Sequence, residues 1–266
     1  MPIDHKFNKH SLKVQTANLD LTKESGWIVL YELLESGRLV YAHGAPPCGT
    51  ATRAREKRVA KSLIRKGAPD PKPLRSTNQP HGIWGLSGRD ALRVEQANLI
   101  YLKMAAFFIK CHEKGIAFSV ENPWRSLMWM TSWFRQLEAL PGVFRVEFDH
   151  CMHGGTRKKR SCWMTNMPEL KSLESNCDGQ HEHAEWGVYV KDGTYAFHSA
   201  KEAEYPALLC QRAAGCVCKH LEAKGLKFAN AETGESQRQD SAEAVPNLTL
   251  GRSNSDECSW KAHDMD

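Results

Sequence analysis

Cys48 and Glu121 have the sequence surroundings expected of a nucleophile and its acid–base partner. Cys48 lies in the run PPCG (46–49) and Glu121 in the run ENP (121–123). A rigid Pro-Pro step before the thiol and a glycine after it suit a cysteine that a ligand must approach closely. Two structural roles stay open: a small hydrophobe in a tight turn for Cys48, and a helix cap for Glu121.

Basic residues accompany these motifs. Arg53 and Arg55 follow Cys48, and the run RKKR occupies 157–160. We expect the first two to lower the pKa of the Cys48 thiol. Basic runs are common on solvated surfaces, but two runs beside reactive-looking motifs suit a phosphate backbone.

A third group of residues has the character of metal ligands. The run CDGQHEH (177–183) places one thiol, Cys177, near two imidazoles, His181 and His183. Zinc accepts such ligands, and a structural zinc site takes four of them. Exposed loop histidines without a metal are the alternative. Three residues are candidates for the fourth ligand: Cys151, Cys162 and His150.

A second cysteine group lies closer to the end of the chain. Cys210, Cys216 and Cys218 stand near His220, after a helix that we expect over 200–212. A metal site is the weaker interpretation here, because one residue between two cysteines is tighter than the usual spacer of two. The sequence favours a structural role for this segment.

The elements that position these motifs alternate between strand and helix. Apolar periodicity predicts helices over 27–35 and 89–112, and unbroken apolar runs predict strands over 38–45 and 116–120. This alternation indicates a parallel α/β sheet that is buried on both faces. Cys48 and Glu121 directly follow the two strands, so we expect both at the carboxyl-terminal edge of the sheet.

Other segments surround this predicted sheet. Strands over 144–148 and 161–165 flank the basic turn, and we expect them to form a hairpin at one sheet edge. The Pro- and Gly-rich residues 67–88 predict an irregular connection. The polar residues 229–266 predict a disordered tail, because they offer little apolar surface to bury.

Composition excludes several classes of protein. The 266 residues carry a net charge of +5 and 41% apolar residues, which is ordinary for a globular domain and unlike collagen, coiled coils or fully disordered chains. No apolar run reaches membrane-spanning length, and the first residues lack a signal-peptide core, so we expect an intracellular protein with no membrane partner. Nine cysteines without an export signal predict free thiols.

Together, Pro47-Cys48 and Glu121-Asn122 resemble the DNA cytosine-5 methyltransferases. The resemblance implies that the Cys48 thiolate attacks carbon 6 of a flipped-out cytosine, while Glu121 binds ring nitrogen 3. Carbon 5 then accepts a methyl group from S-adenosylmethionine. Pro47 and Asn122 would support the bound base, and the partner would be DNA.

The resemblance extends over roughly residues 1–166. It implies that Asp4, after the second strand, holds the cofactor ribose and that Asp20, after the third, contacts the adenine. The turn GGTRKKR (154–160) lies where the family has an arginine-rich turn, so Arg157 and Arg160 would grip the substrate with Arg53 and Arg55. The runs GAPPCGTATRARE and ENPWRSLMW also resemble methyltransferase-like reading frames of mobile elements.

Three departures from the family pattern shape the prediction. The first strand and its glycine-rich cofactor loop should precede Ile3, Gly49 replaces the usual Gln, and little chain follows Thr165 for a target-recognition domain. We therefore expect an α/β, Rossmann-like methyltransferase sheet that is N-terminally incomplete, mostly parallel and bordered by an antiparallel edge hairpin. Its predicted parts are a catalytic domain (1–166), a short insert and closing helix (167–228) and the tail (229–266).

Three functions follow from these residues. The first is a DNA cytosine-5 methyltransferase-like protein, whose activity depends on the missing cofactor loop. The second is a non-catalytic nucleic-acid-binding module of a mobile element, whose affinity would fall steeply with salt. The third, which has the least support, is a hydrolase that uses Cys48 with His43 or His81.

Overall fold

The computed structural model describes residues 3–4 and 16–226. The predicted tail over 229–266 lies outside the described residues. The elements follow in this order: β1 (Ile3–Asp4), β2 (Ala17–Asn18), α1 (Glu24–Glu35), β3 (Tyr41–Gly44), α2 (Lys61–Arg65), α3 (Gly88–Glu113), β4 (Ala117–Pro123), α4 (Ser132–Glu138), β5 (Phe144–Asp149), β6 (Arg160–Thr165), β7 (Val188–Lys191), β8 (Thr194–Phe197) and α5 (Ala207–Ala223).

A four-stranded mixed sheet forms the centre of this α/β fold. Its order is β3-β4-β6-β5, and β3 and β4 are parallel, with Gly44 opposite Val120. Strand β6 is antiparallel to both of its neighbours, so the other three strands share one direction. The predicted hairpin of β5 and β6 is confirmed and forms one side of the sheet, with β5 outermost among the described strands.

Helices cover both faces of this sheet. On one face, the side chains of Phe118 and Val120 pack in a core with α1, α3 and α4. On the other face, Val146 and Trp163 pack in a second core with α5. Residues Ala117 to Asn122 of β4 are all buried, which confirms the prediction of a strand covered on both sides.

Helix α3 occupies the position that its periodicity predicts. The apolar residues whose spacing places them on one face are all buried: Val94, Ala97, Tyr101, Met104 and Phe108. The second half of the helix is also covered on further sides, through Ala105, Phe107 and Cys111. Strand β3 approaches this helix closely at Gly44. A Cβ atom there would lie 2.9 Å from the Phe108 ring, so the end of β3 requires glycine.

Two predictions of secondary structure differ from the model. The helix predicted over 200–212 is wrong: α5 begins only at Ala207, because Pro206 lacks the amide proton of a helix interior and stands at the N-cap. Strand β4 runs on to Pro123, since Trp124 N donates to Arg160 O at 3.1 Å and prolongs the pairing with β6. No helix among the described residues has the length and apolarity to cross a membrane.

Buried Arg75 links the Cys48 loop to α3. Its guanidinium donates to Thr50 Oγ1 at 3.0 Å, to Pro80 O at 2.7 Å and to Asn98 Oδ1 at 2.6 Å. The residue is 1% exposed. The irregular connection 67–88 is confirmed, and Arg75 supplies the fixed donors that give it a single conformation.

We predict that Arg75→Met lowers the free energy of unfolding by about 2–4 kcal/mol, because buried acceptors lose their donors. Urea denaturation followed by circular dichroism measures the change. Arg75→Lys should recover little of the loss, since one ammonium group cannot replace the planar fork. Arg65→Met, at an exposed position of α2, is the control and should stay within about 0.5 kcal/mol of wild type. Equal stability of Arg75→Met and this control would contradict the assignment.

Candidate functional site

Cys48 and Glu121 come together at one edge of the central sheet. Strands β3 and β4 are parallel neighbours, so Cys48, four residues beyond β3, lies beside Glu121 on β4. The charge of Glu121 raises the pKa of the Cys48 thiol. Strand β5 ends and β6 begins at the same edge, and they bring His150 and Ser161 to it.

Glu121 is a buried carboxylate with two partners from β6 and the turn before it. Its Oε1 accepts a hydrogen bond from Ser161 Oγ at 2.9 Å and lies 3.8 Å from Lys159 Nζ. Burial raises the pKa of Glu121 above its ordinary value, and Lys159 and Ser161 oppose this shift. The site therefore favours a carboxyl group that can hold a proton.

His150 extends this network on the far side of Ser161. Its Nε2 lies 3.0 Å from Ser161 Oγ, and burial lowers the pKa of the ring to about 3, so the imidazole is neutral. Because Ser161 donates its proton to Glu121, it accepts from His150, which places the imidazole proton on Nε2. His150 Nδ1 is consequently an acceptor, and it is buried with no partner among the described residues.

The Cys48 thiol is exposed but electrostatically unfavourable for a thiolate. Its pKa is raised, chiefly because the surrounding protein removes water and also because of the Glu121 charge, while Lys159 acts in the opposite direction. The prediction that Arg53 and Arg55 lower this pKa is wrong. Arg53 instead donates to Glu56, and Arg55 donates to Lys72 O at 2.7 Å.

The backbone on both sides of Cys48 is anchored. Tyr101 Oη donates to Pro47 O at 2.5 Å, and Asn122 Nδ2 donates to Pro46 O at 3.0 Å. Asn122 is fully buried, and its Oδ1 has no partner among the described residues. Tyr101 of α3 and Asn122 of β4 therefore hold the two carbonyl groups that precede Cys48.

The turn between β5 and β6 is held by its arginines. Arg157 forms an ion pair of 2.7 Å with Glu202 in which both side chains are mostly buried, and it also donates to Glu185 O. Arg160 pairs with Glu147 at 2.9 Å and lies over the Trp124 ring. Both arginines are at the predicted turn, but the Arg157 guanidinium is committed to partners within the chain.

Two glycines permit this turn. Gly154 has a φ of 84°, in the left-handed region that favours glycine. At Gly155 a Cβ atom would lie 2.8 Å from His150 O, so a side chain has no room there. The pair lets the turn fold back so that Lys159 returns to Glu121.

A polar cluster that sequence reasoning missed borders the site. His43 Nδ1 lies 2.7 Å from Ser119 Oγ, and its Nε2 lies 3.1 Å from Tyr205 Oη. Although part of His43 faces solvent, its enclosed ring has a pKa lowered to about 4. Side chains alternate between the two faces of a strand, and this alternation could have revealed the cluster. Ser119 and Glu121 are two residues apart on β4 and share one face, and His43 lies opposite Ser119 on β3.

The positions of His43 and His81 do not support the hydrolase interpretation. Both ring nitrogens of His43 have partners other than Cys48. His81 lies edge-on to Trp133, with a ring-centroid distance of 4.6 Å, and its Nε2 is 3.5 Å from Ser132 N. Neither imidazole is therefore placed to take the Cys48 proton.

The predicted cofactor residues belong to a separate pair of short strands: Asp4 ends β1, and Asp20 follows β2. Strands β1 and β2 are parallel, with Asp4 opposite Asn18; the side chain of Asp4 lies outside the described residues. Asp20 Oδ1 accepts from Thr22 N at 3.0 Å and from Thr22 Oγ1 at 2.6 Å. Thr22 and Trp133 line a cavity of about 450 Å³.

The metal-ligand prediction is supported and its fourth member is now assigned. Ligand atoms of four residues lie within 4.8 Å of one another, and this metal cluster comprises Cys151, Cys177, His181 and His183. Cys177 Sγ is 3.4 Å from His183 Nε2 and 3.9 Å from His181 Nε2. Of the three candidates for the fourth ligand, the structure selects Cys151. Such a cluster can hold a metal ion.

The second cysteine group does not converge. Cys210 and Cys218 are exposed on α5, while Cys216 is buried with its Sγ 3.2 Å from Ser172 Oγ. His220 Nδ1 instead bonds to Glu169 at 2.8 Å. Among the described residues, only the Cys151 group meets the geometry of a metal site.

Comparisons with family models, with curated protein sequences and with solved structures give no match to this chain. The function is therefore argued from the geometry of Cys48, Glu121 and their neighbours.

We predict that Glu121→Gln lowers the pKa of Cys48, because it removes a negative charge that opposes the thiolate. The rate of Cys48 alkylation by iodoacetamide should then rise at lower pH than in wild type. Lys159→Met should shift the profile in the opposite direction, since it removes a positive charge. Mass spectrometry of the Cys48 peptide between pH 7 and about 10 measures both shifts.

Glu138→Gln is the control, because Glu138 pairs with Arg145 and does not act on Cys48. Identical alkylation profiles for Glu121→Gln, Lys159→Met and this control would contradict the coupling.

Proposed function

We propose that this chain is a DNA cytosine-5 methyltransferase-like protein in which Cys48 is the nucleophile and Glu121 the base-binding acid. One observation carries the proposal: an exposed thiol and a buried carboxyl of raised pKa lie together at the ends of two adjacent parallel strands. The strand order, with antiparallel β6 between β4 and β5, is compatible with the Rossmann-like sheet that the resemblance implies.

The thiol and the carboxyl divide the chemistry between them. The Cys48 thiolate forms a bond to carbon 6 of a cytosine, and the electron pair of the 5,6 double bond moves into the ring. The protonated Glu121 carboxyl donates a hydrogen bond to ring nitrogen 3, where negative charge collects. Carbon 5 becomes nucleophilic, and reversal expels the thiolate from carbon 6.

The raised pKa of Glu121 fits this division. Burial raises the pKa of Glu121 and so favours the protonated carboxyl group that a ring nitrogen needs as its partner. A protonated Glu121 also no longer opposes the Cys48 thiolate electrostatically. The base must leave the DNA stack to reach Glu121, because the carboxyl is only 7% exposed.

The described residues fit S-adenosylmethionine only in part. Asp20 and the cavity beside Thr22 offer room for an adenine. Within the described residues, no Gly-x-Gly step follows a strand: Gly82 and Gly85 lie in the irregular connection and Gly88 begins α3. The methionine half of the cofactor thus lacks a cradle here, and no reaction step is assigned to it.

Zinc is the metal that the cluster of Cys151, Cys177, His181 and His183 fits best. Two thiolates and two imidazoles form a common structural zinc set, whereas magnesium and calcium prefer oxygen ligands. Cys151 belongs to the turn after β5, and the other three residues belong to the loop 177–183. A bound zinc would fasten this loop to the turn that carries Lys159.

We predict that the protein exchanges the hydrogen on carbon 5 of cytosine in single-stranded DNA with solvent. Thiolate addition makes carbon 5 able to take a proton from water and lose the original one, and this needs no methyl donor. Cys48→Ser should abolish the exchange, and Glu121→Gln should slow it by about 10²–10⁴-fold. Loss of label from 5-tritiated cytosine measures the rate.

Cys218→Ser is the matched control, since Cys218 is also an exposed thiol but lies on α5. No exchange by wild type, or equal exchange by Cys48→Ser, would refute the nucleophile. Addition of S-adenosylmethionine to the same assay tests methyl transfer separately.

We also predict one zinc ion per chain in protein purified with zinc present. Cys151→Ser and Cys177→Ser should each remove most of it, and elemental analysis measures the content. Chelation should lower the Tm of wild type, because metal binding stabilises the folded state only. Cys218→Ser should retain its zinc, and a wild-type protein without stoichiometric zinc would contradict the assignment.

A second candidate function is a non-catalytic nucleic-acid-binding module. The raised pKa of Cys48 favours it, because most of the thiol is protonated at neutral pH. Under this alternative, DNA binding depends on salt and survives Cys48→Ser and Glu121→Gln, and no exchange at carbon 5 occurs.

A further inference from the structure

Four arginines from different elements surround a cavity of about 390 Å³ next to the proposed active site. We call it the arginine cleft, and its guanidinium groups belong to Arg53, Arg125, Arg135 and Arg145. They come from the segment after Cys48, the segment after β4, α4 and β5. Among the lining residues, Glu138 is the one acidic side chain.

Positive charge remains in the arginine cleft after its internal pairing. Arg145 and Arg53 each have a carboxylate partner at 2.6 Å. The side chains of Arg125 and Arg135 are exposed, and neither guanidinium group forms a hydrogen bond or ion pair with a described residue. The Arg125 guanidinium lies 5.8 Å from the Trp124 ring centroid. Guanidinium groups match phosphate oxygens with two parallel hydrogen bonds, so the ligand that complements this charge is a phosphate.

An exposed tryptophan stands at the border of the arginine cleft. Trp124 is 39% exposed and lines the cavity three residues after Glu121. The Arg160 guanidinium lies 4.7 Å from its ring centroid and fixes the ring against β6. An exposed aromatic ring beside arginines is the usual platform for an unpaired base.

The arginine cleft is physically continuous with the Cys48 loop. Leu127 N donates to Ala51 O at 2.9 Å, which ties the cleft wall to the residues that follow Cys48. Trp129 Nε1 donates to Pro123 O at 3.0 Å, and this anchors the same wall to the end of β4. Both hydrogen bonds place the arginine cleft at the same end of β4 as the Cys48 loop.

We infer that the arginine cleft binds the backbone phosphate next to the target nucleotide, while Trp124 stacks on the neighbouring base. The inference rests on the proposed function, which supplies the entry point of the strand. Under this inference, four further residues contact the substrate: Trp124, Arg125, Arg135 and Arg145. Arg53 binds a phosphate of the DNA and does not act on the Cys48 thiol.

The test measures binding of a fluorescein-labelled single-stranded DNA to the full chain by anisotropy over a series of salt concentrations. The double variant Arg125→Gln/Arg135→Gln should reduce the slope of log affinity against log salt by about 1–2, as two phosphate contacts are lost. Trp124→Ala should weaken binding by about tenfold or more with little change in slope, because stacking is not ionic.

Two variants control for charge and for an aromatic surface. Arg38→Gln removes an exposed arginine before β3, at the opposite edge of the sheet, and Trp84→Ala removes a tryptophan that is 88% exposed. Both should keep the wild-type slope and affinity. Circular dichroism of every variant verifies folding.

The two proposals fail separately. A salt slope for Arg125→Gln/Arg135→Gln equal to that of Arg38→Gln, or no DNA binding by wild type, overturns the arginine cleft. A reduced slope supports the cleft even where wild type shows no exchange at carbon 5 of cytosine. That result would refute the nucleophilic role of Cys48 and would still support phosphate binding in the arginine cleft.

Discussion

The burial of Glu121 is the constraint on which the rest of the site depends. Burial away from water disfavours the charged form of a carboxyl group, so a buried carboxyl group requires polar partners. Ser161 and Lys159 supply them, and both come from the turn and strand that enter beside β4. The antiparallel insertion of β6 is therefore the feature that makes this acid possible.

A further set of residues holds the backbone of the Cys48 loop in place. Tyr101 and Asn122 hold the carbonyl groups before Cys48, and Arg75 holds Thr50 after it. A thiol on a loop with so many fixed neighbours keeps its position when a ligand binds, which lowers the entropic cost of reaching a reactive geometry. The same loop leads directly into the segment that carries Arg53.

The sequence predicts the frame of this site better than its electrostatics. Long periodic segments such as α3 are predictable, because a helix face repeats over many residues. The meeting of Cys48 and Glu121 is also predictable from two strand ends. The raised pKa of Cys48 is not, because burial and the Glu121 charge raise it through residues from distant parts of the chain, while the nearby Arg53 and Arg55 bind other partners. Likewise, residue spacing in the sequence does not identify the fourth metal ligand. Cys151 reaches the other three ligands only because it follows β5 in the folded chain.

The pairing of β6 with two neighbours limits how the chain can vary in length. The residues of β6 from Ser161 to Thr165 have a partner on both sides. Trp163, for example, lies between Glu121 of β4 and Val146 of β5. A single-residue insertion within β6 would turn Ser161 to the face of Asn122 and leave Glu121 without its donor. A change of chain length is therefore better tolerated in an exposed connection than within β6.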